Sequence, residues 1–277
     1  MRLQVDHVTV CGSDLAAMRR GFADAGLVTS YGGPHAHGVT HMDQLAFRDG
    51  SYLELIAPVA RGGAAGLMGG WAKLMEGNAG AGAWAAQSEQ IHSDAARFRS
   101  AGIEVRGPEA GSRKRPDGIA LEWELAAVGS GAAGSVLPFL IQDRTPRSLR
   151  VPSPANVPVD GVAAVVLGIR DLGKAIALFR SAYGLDKVLV ETSPEFGAEL
   201  AHFPETPVML AAPVGEESWL HGRLDRFGEC PAAFLLATHN LAQARRRFSL
   251  AAQASFFGRK LAWFDEDVLG SRIALTE

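Results

Sequence analysis

The sequence predicts an α+β protein made of four βαβββ units in two similar halves. Three observations carry this expectation. Residues 8–27, VTVCGSDLAAMRRGFADAGL, and residues 165–185, VVLGIRDLGKAIALFRSAYGL, follow one plan: an apolar strand, Asp-Leu, an amphipathic helix, then Gly-Leu. The segment YLELIAPV at 52–59 returns as PVMLAAPV at 207–214, an offset of 155. Weaker echoes follow in each half, AARFRSAGIEV at 95–105 and LAQARRRFSLAAQASF at 241–256. Internal repetition of this kind marks a fold assembled from copies of one supersecondary unit.

The elements justify themselves in chain order. VDHVTV at 5–10 reads as the first strand. Asp14 and Asp171 suit helix N-caps, and Gly26 and Gly184 suit the matching C-terminal stops. Asp49-Gly50 is a two-residue hairpin signal between alternating runs. The Gly-rich stretches 60–70 and 77–83 read as linkers around a short helix, WAKLME. The last part of the first half is DGIALEWELA, a Gly-rich loop, then VLPFLIQD. Residues 143–160 carry Pro146, Pro152, Pro154 and Pro158 and read as an extended connector. Residues 1–142 and 161–277 are therefore expected as the two domains.

Composition narrows the function. A chain of 277 residues with 47% hydrophobic residues can bury a substantial core. A net charge of −3 argues against an obligate nucleic-acid binder. No apolar run approaches the roughly 20 residues needed to span a bilayer, and no signal-peptide pattern opens the chain. Cys11 and Cys230 are too few for a disulfide framework. The expectation is a cytoplasmic protein that meets a small molecule rather than nucleic acid or membrane, with a homodimer left open.

Strand alternation locates a site. If Val8 and Val10 face the first helix, Val5, His7 and Thr9 face away from it. By the same parity Tyr52, Glu54 and Ile56 face away from the helix in the fourth strand, so His7 and Glu54 share one concave surface. A carboxylate at such a position needs a cation, a proton or hydrogen bonds. The loop GGPHAHGVTHMD holds His35, His37 and His41. Gly- and Pro-rich loops often carry exposed histidines, yet His35 or His41 at a cavity rim also suits acid–base work near neutral pH. Arg113, Lys114 and Arg115 read either as a solvated turn or as a clamp for a substrate carboxylate or phosphate. Trp84 and Trp123 line a pocket or fill a core.

The order and spacing of DHVTV, GGPHAHGVTH, DGSYLELIAPV, GSRKRPDGIALEWELA and LPFLI make residues 3–142 resemble the vicinal oxygen chelate superfamily, in its glyoxalase-like branch. The second half resembles it through its first unit and RFGECPAAFLLATHNL. The resemblance implies two half-open barrels and a divalent metal (Zn, Mn, Fe, Co or Ni) held from first and last strands. On that pattern His7, Glu54 and Gln142 are the expected metal ligands. His41, His35 and Glu54 are the expected catalytic groups, and Arg113, Arg115, Trp84, Trp123 and Tyr52 the expected substrate contacts. Counting back from the second helix places Ala83 where the first unit has His7, which argues against an extradiol dioxygenase. The implied function is a metal-dependent lyase or isomerase acting on a small, oxygenated, acidic metabolite. The alternative is a metal-free sequestering protein of the bleomycin-resistance type. Ala164 and Met209 stand where the first half has His7 and Glu54, so the second half is expected to be degenerate. Glu277 is a weak last-strand candidate there.

Overall fold

The computed structural model describes residues 3–60, 62–63 and 70–277, with the side chains of Ala252 and Gln253 left aside. The stretch 60–70, expected as a linker, lies largely outside the described residues. The first half contains β1 (Val5–Cys11), α1 (Leu15–Asp24), β2 (Ser30–Pro34), β3 (Thr40–Ala46), β4 (Tyr52–Pro58), α2 (Trp71–Glu76), β5 (Gly80–Gln87), α3 (Ile91–Ser100), β6 (Val105–Lys114), β7 (Ala120–Val128) and β8 (Phe139–Asp143). After α4 (Arg147–Arg150) the second half contains β9 (Gly161–Gly168), α5 (Leu172–Tyr183), β10 (Leu189–Ser193), β11 (Ala198–His202), β12 (Val208–Pro213), α6 (Trp219–Phe227), β13 (Cys230–Ala237), α7 (Leu241–Arg247), β14 (Leu250–Phe256), β15 (Arg259–Phe264), α8 (Glu266–Leu269) and β16 (Ile273–Thr276).

Each half is one curled eight-stranded sheet. The first runs β2-β3-β4-β1-β5-β8-β7-β6 and the second runs β10-β11-β12-β9-β13-β16-β15-β14. The two orders are the same, shifted by eight strands, so the repeat in the sequence is a repeat of topology. Asp14 accepts from Ala17 N–H and Asp171 from Lys174 N–H, capping α1 and α5. Gly184 ends α5 in the left-handed region (φ +68°). Among the described residues no helix is long and apolar enough to cross a membrane.

One apolar core runs behind both sheets. Val8, Val10, Leu53 and Leu55 share it with Phe98, Phe179, Phe234 and Val165. Phe98 of α3 meets Tyr183 of α5 edge-on at 5.4 Å. The concave face of the second sheet has its own filling: Phe196, Leu200, Met209, Phe256 and Ala164 form a separate buried cluster. Phe196 stacks on Trp263 and meets Trp219 of α6 edge-on.

Three sequence expectations need correction. Residues 77–83 are not a linker: from Gly80 onward they are β5, a central strand that pairs with β1 and β8. Their glycines answer to close packing. A Cβ on Gly82 would meet Cys11 Sγ at 2.6 Å, and one on Gly80 would meet Gly270 O at 2.5 Å. Val5 does not share the face of His7. The β1–β5 register shifts between Val5 and His7, and this irregularity sends Val5 into the core with Val8. The connector 143–160 is not wholly extended, because it includes the single turn α4.

Candidate functional site

The first sheet curls until its two edges approach. His35, just beyond β2, bridges Arg113 of β6, and Ala36 N–H donates to Ser112 O at 3.1 Å. Gly33 permits this approach: its φ is +105° and a Cβ there would meet Lys114 O at 2.7 Å. The curl encloses a cavity of about 250 Å³, a little under the roughly 300–1,000 Å³ of drug-sized sites. Much of its wall is apolar, with Met42, Ile56, Trp123, Leu125, Phe139 and Ile141 among the lining side chains.

Into this wall the strands set a small polar group. In the parallel β1–β4 pair His7 lies opposite Tyr52 and Thr9 opposite Glu54, so alternation turns all four inward. Thr9 donates its hydroxyl to Glu54 Oε2 at 3.1 Å. His7 Nε2 lies 3.7 Å from Oε2, and His35 Nε2 lies 3.8 Å from Oε1. The carboxylate is thus flanked by an imidazole on each side.

Both imidazoles are anchored through their other nitrogen. His35 Nδ1 pairs with Thr40 Oγ1 at 2.8 Å. His7 Nδ1 pairs with Asp6 Oδ1 at 2.7 Å, while its ring stacks on Tyr52 at 4.7 Å. Asp6 is fully buried. Burial alone would raise its carboxyl, but Arg150, His7 and Arg147 outweigh that and hold it well below the usual carboxylate range. As an anion it can only accept, so Nδ1–H of His7 donates to it and Nε2 is left toward Glu54. Arg150 grips Asp6 through two nitrogens, at 3.1 and 2.8 Å, and donates to the Tyr52 hydroxyl at 2.8 Å. Arg147 also bonds Asp6. Burial pushes the Tyr52 hydroxyl above its ordinary range, so it stays protonated. Burial lowers His35, with Glu54 opposing, which makes it a neutral imidazole at pH 7.

Other expected site residues lie elsewhere. His41 sits between Thr40 and Met42 on β3; those two line the cavity, so alternation turns His41 away, edge-on to Tyr31. Arg115 donates to Leu149 O at 2.9 Å and pairs with Asp117 outside the cavity. Trp84 is fully buried in the core and donates to Val136 O. Gln142 accepts from Ile91 N–H at 2.9 Å and donates to Glu89 O, capping α3. Glu277 does the same for α7, accepting from Leu241 N–H at 2.7 Å. Trp123, Tyr52 and Arg113 line the cavity. The count back from α3 agrees with the structure. Gly12 N–H donates to Ile56 O and, at the same point of the second module, Ser88 N–H donates to Ile141 O, which makes Ala83 the counterpart of His7 and Phe139 that of Glu54.

Asp6 and Arg150 were not read as site residues from sequence. The adjacent pair Asp6-His7 in an apolar strand was the available signal for the first. Nothing local marks Arg150, whose partner Asp6 lies 144 residues away.

Two donors about 2.0–2.2 Å from one divalent ion lie roughly 2.8–4.4 Å apart, from right-angled to opposed. The His7–Glu54 and His35–Glu54 separations fall in that span, and neutral imidazole with carboxylate is a suitable donor set for Zn, Mn, Fe, Co or Ni. The fit is pairwise. Among the described residues no three His, Cys, Asp or Glu side chains form a group that could hold a metal, and at the positions of His7 and Glu54 the second module has Ala83 and Phe139.

A glyoxalase-like domain family model matches residues 5–164. No curated protein matches the sequence. Among solved structures, a hypothetical protein from Staphylococcus aureus is similar over 99% of both chains, with a TM-score of 0.68 at 13% identity. A methylmalonyl-CoA epimerase from Mycobacterium tuberculosis covers 45% of this chain and 92% of its own, with a TM-score of 0.40 at 21% identity. A Streptomyces coelicolor methylmalonyl-CoA epimerase in complex with 2-nitronate-propionyl-CoA covers 43% of this chain and 96% of its own, with a TM-score of 0.36 at 17% identity.

Proposed function

This chain belongs to the glyoxalase-like domain family, and from that premise and the surroundings of Glu54 we propose that it is a lyase or isomerase that moves a proton on a small oxygenated molecule. The carrying observation is the Glu54 carboxylate, set in a largely apolar cavity between two anchored imidazoles. Thr9 and His7 occupy the Oε2 side, which leaves Oε1 to accept a proton from a substrate carbon next to a carbonyl. The electron pair moves into that carbonyl, whose oxygen takes a hydrogen bond from neutral His35. Return of the proton to a neighbouring carbon completes an isomerisation; loss of a neighbouring leaving group, protonated on departure, completes an elimination. Trp123, Phe139 and Ile141 exclude water from the reacting carbon. A divalent ion held by Glu54 with His7 or His35 would polarise the same oxygen and acidify the C–H.

The test is α-proton exchange. A panel of small carbonyl compounds in D2O, followed by proton NMR, should include one whose α-proton the protein exchanges catalytically. Glu54→Gln should slow that exchange by about 10²–10⁴-fold. Running it with and without added Zn, Mn, Fe, Co or Ni, beside metal uptake by both proteins, decides the role of an ion. A second reading, sequestration without chemistry, is favoured by the apolar Ala83 and Phe139 that stand in the second module where the first has His7 and Glu54. Tight binding of the panel with no exchange in any metal would select it.

A further inference from the structure

We propose that the molecule held in this cavity is a small monocarboxylate, and that Arg113 receives its carboxylate. The inference deepens the proton-transfer reading by naming the substrate class, and it rests on that reading for the location of the site. Arg113 is 4% exposed and lines the cavity. Its guanidinium bonds neutral oxygens: Gly32 O, Gln44 Oε1 at 3.1 Å and Arg150 O at 3.2 Å. Unlike Arg150 and Arg147, which share Asp6 and Asp143, it meets no carboxylate at ion-pair distance among the described residues. A buried cation without an anion is costly to keep, and a ligand carboxylate would relieve that cost. The three bonds leave donors over from the five N–H groups of a guanidinium.

A second observation concerns the surroundings of Arg113. Gln44 lies on the concave face, opposite Glu54 in the β3–β4 pair. Its Oε1 takes the Arg113 bond, which fixes the orientation of the amide, and its Nε2 is a buried donor with no acceptor. Gln44 lines the pocket on the other side of Arg113 and not the cavity itself, so its unmet donor marks a polar surrounding short of acceptors, and of the two Arg113 alone presents charge to the cavity. The charge selects the class. The other cavity arginine, Arg150, is matched by Asp6 and Asp143, while Glu54 acts on Arg113 only across the cavity, beyond ion-pair distance, so Arg113 carries a single positive charge with no direct carboxylate partner among the described residues. That suits a carboxylate and not a phosphate dianion.

Benzoate and its neutral isostere benzamide are the probes, with binding to the full chain measured by calorimetry. Benzoate should bind at least about tenfold more tightly than benzamide. Arg113→Gln should reduce that ratio to below about threefold, while Arg113→Lys, which keeps a cation, should retain most of it. Inorganic phosphate should not displace benzoate. Equal affinity for the two probes, binding of neither, or an unchanged ratio in Arg113→Gln would overturn the proposal. The comparison on the parent protein stands even where Arg113→Gln does not fold. The readout is equilibrium binding, so failure of the exchange chemistry leaves it intact. Glu54→Gln, which would slow that chemistry, should keep the preference for benzoate.

Discussion

Asp6 shows how one buried charge organises a site. It ties His7, Arg147 and Arg150 together inside the protein. Asp6→Asn removes the anion and leaves two cations without it, one of them, Arg150, almost wholly buried. Breaking a buried pair from one side typically costs about 3–5 kcal/mol, and a loss of that size is expected in urea unfolding at pH 7. The pH dependence follows from the depressed carboxyl. Native Asp6 titrates well below the ordinary value of 3.8, so its stabilisation is complete above about pH 5 and is lost as pH falls through the unfolded value toward the native one. Unfolding free energies from pH 7 to pH 3 should fall less steeply in Asp6→Asn than in the parent. An equally steep acid limb would show that Asp6 is not the controlling group.

At the scale of elements, the last strand of a unit can serve its helix and not the cavity. β8 sends Phe139 and Ile141 inward, so Gln142 points out to the first turn of α3. There it does what the N-cap Gln90, which makes no side-chain cap bond, does not. Glu277 repeats the device on α7. Gln142→Leu should therefore cost about 0.5–2 kcal/mol, the range for a lost cap, seen as a lowered thermal midpoint. Its metal uptake and benzoate affinity should stay within about twofold of the parent. A large loss of either would return Gln142 to the site.

The whole molecule contains two copies of one sheet with opposite interiors. The first encloses a cavity, and the second is filled by Phe196 and its aromatic neighbours. Phe196→Ala should cost about 3–5 kcal/mol, as for buried aromatic side chains in general. The shared core, with Phe98 packed on Tyr183 and Arg97 donating to Ala182 O at 2.6 Å, predicts that both halves unfold together. Calorimetry and tryptophan fluorescence should show one transition, shifted down as a unit in Phe196→Ala. Two separated transitions would mean that the halves are independent.

Much of this architecture was legible in the sequence alone. The repeat, the βαβββ order, the caps Asp14 and Asp171 and the shared face of His7 and Glu54 all rest on local periodicity, which a strand or helix imposes on its own residues. The apolar filling of the second sheet was equally visible in Ala164 and Met209. Other features were decided by tertiary structure. Curling of the first sheet brings β2 to β6, and that closure sets His35 beside Glu54 and Arg113 in the wall. Alternation along β3, once its register is set, turns His41 away. Close packing makes a central strand of glycines that look like a linker. Arg150 reaches Asp6 from a connector far along the chain. These outcomes depend on which distant backbone and which distant charge lie opposite a residue, and a burial cost or an ion pair between residues 144 positions apart leaves no local pattern to read.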